Sequence, residues 1–240
     1  MDEAALCHIL TLSGHQQVGA ASEVFGGTLM SLMERRLILL RHGHTDGNND
    51  GQDRPLSGWH DTPLSALGWR ETVALAARLG RELPANTPIF SSPLQRCRKM
   101  AEAISSVSGG AVEIEPDLRE ISCGELEGLS IGEVQRRYPD LWAANLRQDN
   151  DYFRWPGGES YAEFRTRCLE CLARLRRNSA DPLIVVSHAG VISQVLGSLS
   201  GTPSSRWSAH RPGNASITEM CDDGQALRLV RFDDCHAPAA

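Results

Sequence analysis

The sequence predicts a three-layer α/β domain, with helices on both faces of a mostly parallel sheet that ends in an antiparallel edge. Three observations predict it. Leu37-Ile-Leu-Leu and Leu183-Ile-Val-Val are short, wholly apolar runs of the kind buried at the centre of a parallel sheet, and helix-period segments separate them. Each run stops at polar residues and glycine: Arg41-His42-Gly43 in the first, Ser187-His188-Ala189-Gly190 in the second. Open α/β sheets present ligand-binding groups in this way, at the carboxyl ends of their strands. Near the C-terminus two strand patterns flank Asp222-Asp223-Gly224, a hairpin signal that supplies the antiparallel edge. If the two apolar runs are parallel neighbours, His42 and His188 emerge on one edge and could face one ligand.

The elements follow in order. Residues 45–62 are rich in Gly, Asn, Asp and Pro and form a loop. Ser65 is the N-cap of a helix over 66–82, with Leu67, Val73, Leu75, Ala76 and Leu79 inward and Pro84 closing it. A short strand at 88–90 precedes a helix that starts with Pro93 in its first position and runs to about 107. Residues 111–115 are a third strand, 118–128 a loop, and 131–138 a short helix stopped by Pro139. Residues 141–156 hold Trp142, Tyr152, Phe153 and Trp155, the densest aromatic cluster in a chain with 5% aromatics. This stretch reads as a small core under a long excursion, as a lid over a ligand site that sets ligand choice, or as both. A helix over 161–177 buries Phe164, Cys168, Cys171, Leu172 and Leu175, and a helix over 190–199 follows the second apolar run.

Composition sets the limits. A chain of 240 residues, 41% hydrophobic and 22% charged, suits one globular domain with a sizeable core. The formal net charge of −6 argues against a nucleic-acid binder, and no apolar run approaches a membrane span. Lys99 is the only lysine, so the basic residues are almost all arginine, a bias spread over the whole chain. Seven scattered cysteines read as free thiols in a reducing, cytoplasmic compartment, with Cys168 and Cys171 as buried apolar residues. Three divisions are expected: a poorly ordered N-terminal extension or mis-assigned start over 1–34, with Met30 or Met33 as alternative starts; a domain over 35–232; and a frayed tail over 233–240.

Six blocks, in order, give this chain a family resemblance. They are Arg41-His42-Gly43-x-Thr45-x-x-Asn48, Gly58-Trp59-His60-Asp61-x-Pro63-Leu64-Ser65, Ser91-Ser92-Pro93-Leu94-x-Arg96, Leu118-x-Glu120-x-x-x-Gly124-x-Leu126-x-Gly128, Gly157-Gly158-Glu159-Ser160 and Val186-Ser187-His188-Ala189-Gly190. Together they resemble the histidine phosphatase superfamily, the phosphoglycerate mutase-like family, over roughly 36–232. A lone Arg-His-Gly is weak; six blocks in sequence are a specific signal. The resemblance implies a phosphoglycerate mutase-like fold and a metal-independent phosphomonoesterase acting on small phosphorylated metabolites. It implies no cofactor, no nucleic acid and no membrane, and leaves a homodimer open.

The resemblance also implies site roles. His42 is the nucleophile that becomes a phosphohistidine, Arg41 and Arg96 fork the phosphoryl oxygens, and His188 and Asn48 add donors. Glu120 is the general acid and then the base that activates water. His44, Trp59 and His60 are expected to contact substrate. Asn214 resembles a position near the pocket, with packing or capping as an equal reading. His42-x-His44 also invites a metal, with His188 or Asp61 as third ligand, but two arginines in the same site would repel a cation. Two other functions stay open. A mutase would pass the phosphoryl group back to its substrate, but mutases carry Arg and Tyr where this chain has Ile121 and Cys123. A catalytically inactive phospholigand-binding protein would share the fold, but every core catalytic position is filled.

Overall fold

Alternation along the first strand decides the layering. The structure, a computed structural model, describes residues 34–177, 180–223 and 225–235. In β1 (Arg35–Arg41), Leu37 and Leu39 join one hydrophobic cluster and Ile38 and Leu40 the other. Side chains of a strand point alternately to opposite faces, so an unbroken apolar run feeds two cores at once. Cluster one packs the sheet against α5 (Tyr161–Leu175) and α6 (Ala189–Ser200). Cluster two packs it against α1 (Ala66–Glu82) and α2 (Gln95–Ser108). The remaining strands are β2 (Ile89–Ser91), β3 (Val112–Ile114), β4 (Leu183–Ser187), β5 (Ser216–Asp222) and β6 (Leu227–Cys235).

The six strands lie in the order β3-β2-β4-β1-β5-β6. The first four are mutually parallel, and β5 and β6 run antiparallel as the edge. β1 and β4 are neighbours in a register that sets Leu37 opposite Leu183 and Arg41 opposite Ser187. Both strands therefore end together, and their trailing histidines leave the sheet side by side. The three-layer architecture expected from the sequence is the one observed. Among the described residues no helix is long and apolar enough to cross a membrane.

Several boundaries differ from expectation for local reasons. On α1 the buried stripe is Gly68, Thr72, Leu75, Ala76 and Leu79, while Leu67 and Val73 are exposed. At 3.6 residues per turn, Leu67 and Val73 lie about 140° and 100° around the helix from Thr72. Gly68 sits inward because the helix meets the loop after β1 backbone to backbone. A Cβ at Gly68 would collide with the His44 carbonyl, and one at Gly43 with the Gly68 carbonyl. α2 starts two residues after Pro93: Leu94 is its N-cap, and Asp61 Oδ1 accepts the Gln95 N–H at 2.7 Å. Pro139 ends α3 (Ile131–Arg137) and also opens an unanticipated helix, α4 (Pro139–Arg147). A first-turn N–H has no intrahelical partner to lose, so proline there costs nothing. β6 runs to Cys235, three residues beyond the expected boundary at 232. The N-terminal extension, apart from Glu34, and the end of the tail lie outside the described residues.

The exposure pattern of α1 gives a direct comparison. Leu75 is 0% exposed and Val73 60%. Leu75→Ala should cost about 2–5 kcal/mol of unfolding free energy by urea titration, since it opens a cavity. Val73→Ala should stay within about 0.5 kcal/mol; equal costs would place the wrong face of α1 against the sheet.

Candidate active site

Two buried histidines stand where β1 and β4 end. The His42 N–H donates to the Ser187 carbonyl at 3.1 Å, which carries the strand register one residue past β1. The two imidazoles lie edge to face, with ring centroids 5.3 Å apart. Their tautomers follow from their partners. His42 Nδ1 lies 2.7 Å from the Gly43 carbonyl, which can only accept, so Nδ1 carries the proton and Nε2 is left with its lone pair. His188 Nδ1 accepts from Arg96 Nε at 3.3 Å, so its proton sits on Nε2, 2.8 Å from Ser92 Oγ. Burial above all, then Arg96, depresses both pKa values well below 6.5, and Arg41 adds to the effect. Both rings are therefore neutral at neutral pH.

The surrounding charge is positive. Arg96 is 2% exposed and donates to the carbonyls of Gly58 (2.8 Å) and His60 (2.9 Å) as well as to His188. Arg41 donates to the Pro212 carbonyl at 2.7 Å, and its buried Nε has no partner among the described residues. Burial, then Arg211, lowers its pKa to about 10, so it stays cationic at neutral pH. Asn48 Oδ1 accepts from the Thr45 N–H and hydroxyl and from Asn214 Nδ2, so the amide group it has left is the donor Nδ2. Asn214 also reaches the His42 carbonyl, which makes it a brace behind that residue.

Glu120 closes the site from the far side. Its Oε2 accepts the Gly190 N–H at the start of α6, and its Oε1 accepts the Ile121 N–H, both at 3.0 Å. A side chain at Gly190 would collide with this carboxylate. The Glu120 carbonyl is held in turn by Trp59 Nε1 (2.7 Å) and by Arg167, which pairs with Glu159 of the Gly157–Ser160 block.

His42, Arg41, Arg96, Asn48 and Glu120 line one cleft of about 190 Å³. The other expected contacts do not. His188 gives both nitrogens to protein groups, so it meets a ligand only by trading away Ser92. His44 turns its ring to Ser65 Oγ at 2.8 Å, because its own N–H is drawn to Glu71 on α1. Trp59 is a strut to Glu120, with Arg119 stacked 3.7 Å above its ring. His60 is exposed; its backbone bridges Glu127 and Arg96. As for a metal, Asp61 caps α2 and His188 is committed, so the third ligand is missing. Among the described residues no group of three His, Cys, Asp or Glu side chains could hold an ion.

The cleft continues into residues the sequence did not single out: Arg54, Asn145, Tyr161, Trp207 and Arg211, with Trp142 and Trp155 from the aromatic stretch. That stretch is a small core and a wall at once. Phe153 and Trp155 are buried against Tyr161, while Tyr152 is exposed. Among so many arginines nothing in the sequence marks Arg54 or Arg211.

Comparison with known proteins agrees with this geometry. The family model of the histidine phosphatase superfamily (branch 1) matches residues 37–235. A glucosyl-3-phosphoglycerate phosphatase of Mycolicibacterium vanbaalenii is 33% identical over 80% of this chain and 86% of its own. A metal-independent phosphoserine phosphatase of Arabidopsis thaliana is 31% identical over 66% of each chain. A probable phosphoglycerate mutase of Escherichia fergusonii is 31% identical over 77% of this chain and 84% of its own. The solved structure of a mycobacterial glucosyl-3-phosphoglycerate phosphatase superposes with a TM-score of 0.72 at 29% identity, covering 84% of this chain and 99% of that one. With its paired histidines at adjacent strand ends and a family match that spans most of its length, the chain belongs to the histidine phosphatase superfamily.

Proposed function

We propose that this chain hydrolyses small phosphomonoesters without a metal, through a phosphohistidine on His42. The observation that carries the reading is the free Nε2 lone pair of a buried, neutral His42 beside two guanidinium groups. In the first step Nε2 attacks phosphorus in line with the ester oxygen; the P–N bond forms as the P–O bond breaks. Arg41 and Arg96 bear the charge on the non-bridging oxygens, and Asn48 Nδ2 adds a donor. Glu120 gives its proton to the departing alkoxide. In the second step the carboxylate takes a proton from water, which attacks phosphorus and breaks the P–N bond, returning His42 and inorganic phosphate. His188 is a positioning residue in this scheme, since its Nδ1 aims Arg96. The relatives named as phosphatases support the overall reaction, and a mycobacterial relative has been solved with VO3 and with inorganic phosphate. The same family includes mutases. Here Ile121 and Cys123 line the cleft where mutases place Arg and Tyr, so water is the favoured acceptor. Free thiols at all six described cysteines support a cytoplasmic setting.

Three outcomes are expected. His42→Ala should lower phosphate release more than tenfold while keeping the native circular dichroism, and acid-labile, base-stable labelling of the wild type should vanish with it. A label stable to acid and lost in base would mean a hydroxyl ester instead.

The pH expectation follows from sign. A depressed pKa keeps His42 nucleophilic until pH falls through its folded value, well below 6.5. The unfolded chain takes up those protons nearer 6.5, so His42 and His188 cost stability as pH drops below that point. Carbon NMR of labelled imidazoles should show two rings that stay neutral below pH 6.5, one of them lost in His42→Ala. Midpoints near 6.5 for both would remove the electrostatic basis of the mechanism.

Glu120→Gln keeps the shape but cannot deliver a proton. It should slow phosphoenzyme formation from alkyl phosphates by ~100-fold, and from p-nitrophenyl phosphate far less, because that leaving group departs as an anion. Burst kinetics separate the two; equal losses would move the acid elsewhere, with Asp61 next to test.

A further inference from the structure

The guanidinium groups of the cleft stand on regular structure: Arg41 ends β1 and Arg96 lies in the first turn of α2. Glu120 does not. Residues 119–123 belong to no helix or strand, so no ladder fixes their backbone. Side chains take the place of a ladder. The Asp117 and Arg119 carbonyls accept from Arg167 Nη1 at 2.7 and 2.9 Å, and the Leu118 carbonyl accepts from Ser187 Oγ at 2.7 Å. The Glu120 carbonyl accepts from Arg167 Nη2 at 3.1 Å and from Trp59 Nε1 at 2.7 Å. One residue of α5 thus holds three of four successive carbonyls.

A stabilising ion pair is the ordinary account of Arg167, whose Nε and Nη2 each reach Glu159 at 2.7 Å. Two observations go beyond it. A guanidinium has five N–H donors, and Arg167 makes five hydrogen bonds, three of them to the loop that bears Glu120. Glu159 also grips that loop, on the far side of Glu120. Its Oε2 accepts the Ser122 N–H at 2.9 Å, and its own N–H donates to the Ser122 carbonyl at 3.1 Å. At the other end the Glu120 carboxyl is held by the Ile121 and Gly190 N–H groups. Backbone and carboxyl are both pinned, so a shift of the backbone moves the carboxyl with it. A proton donor works only within hydrogen-bond reach of the leaving oxygen.

We propose that Arg167 is a positioning residue for proton transfer: its guanidinium, itself oriented by Glu159, sets the place of the Glu120 carboxyl against the leaving oxygen. Arg41 and Arg96, carried by the sheet and by α2, keep their places without it. The inference rests on the reading of Glu120 as the acid and adds the residues that aim it.

Leaving-group dependence tests it. Phosphoenzyme formation would be followed by rapid quench in the wild type, Arg167→Gln, Glu120→Gln and the double variant. The substrates are p-nitrophenyl phosphate and whichever of glycerol 3-phosphate, 3-phosphoglycerate and O-phosphoserine the wild type turns over fastest. Arg167→Gln should slow the alkyl ester about tenfold or more, and the aryl ester less than about threefold, since nitrophenolate departs without a proton. A residue that only stabilised the fold would slow both alike. On the Glu120→Gln background the Arg167 substitution should add less than about twofold with the alkyl ester, because residues that act as a unit are not additive. Arg167→Lys keeps the charge but lacks the fork, and should not restore the alkyl rate. Glu159→Gln should show the same pattern on a smaller scale, and these two variants carry the test if Arg167→Gln does not fold. Equal losses on both esters, additive losses in the double variant or full activity in Arg167→Lys would overturn the positioning role alone. Equal slowing of both esters by Glu120→Gln would sink the acid reading, and the proposal with it.

Discussion

A buried guanidinium without a carboxylate is the constraint on which the rest of this structure depends. Arg96 is nearly inaccessible, yet its partners are two backbone carbonyls and a neutral imidazole. A carboxylate would have neutralised it and removed its value to a phosphoryl group; carbonyls satisfy its N–H groups and leave the charge unspent. Those carbonyls must then be held still. The loop that bears them is fixed by Glu127, which accepts the N–H groups of His60 (2.8 Å) and Cys123 (2.7 Å). Burial raises the Glu127 pKa, a cost carried by a residue that never meets the cleft. Much of the Gly58–Asp61 block therefore works on Arg96 and α2 and leaves the substrate to others.

The sheet supplies the second half of the arrangement. Because β1 and β4 are parallel and in register, two residues far apart in sequence leave adjacent strand ends at the same height. Parallel pairing needs long crossovers, and the crossovers carry Arg96 and Glu120 to the same edge. One topological fact thus gathers His42, its cationic neighbours and Glu120.

That gathering was legible in the sequence because it is written in backbone terms: apolar runs, their abrupt polar ends and the glycines that let the helix approach. The apolar runs and their polar ends pick out Arg41, His42 and His188, and the motif blocks, through the family resemblance, pick out Arg96, Asn48 and Glu120. Four kinds of feature were legible in neither way. On α1 Leu75, Ala76 and Leu79 are inward as expected, but Gly68 and Thr72, small and polar, complete that face, while the apolar Leu67 and Val73 point outward. Pro139 reads in the sequence as a stop and is also a start, since proline suits a first turn as well as it ends a previous helix. His44, Trp59 and His60 sit within motif blocks, yet local hydrogen bonds turn them into struts. Arg54 and Arg211 carry no pattern at all; only their place on the cleft wall, visible in three dimensions, sets them apart.

Hydrogen bonds also decide which histidine keeps a free lone pair at the cleft. Burial and positive neighbours leave both rings neutral, so electrostatics alone does not choose between them. Their second nitrogens do. The Gly43 carbonyl forces the proton of His42 onto Nδ1, and Nε2 makes no hydrogen bond with any described residue at the cleft. Arg96 forces the opposite tautomer on His188, whose remaining N–H goes to Ser92, so it has no lone pair to offer phosphorus. The two tautomers are thus set by one carbonyl and one guanidinium. Exchanging either partner would alter the tautomer before it altered the fold.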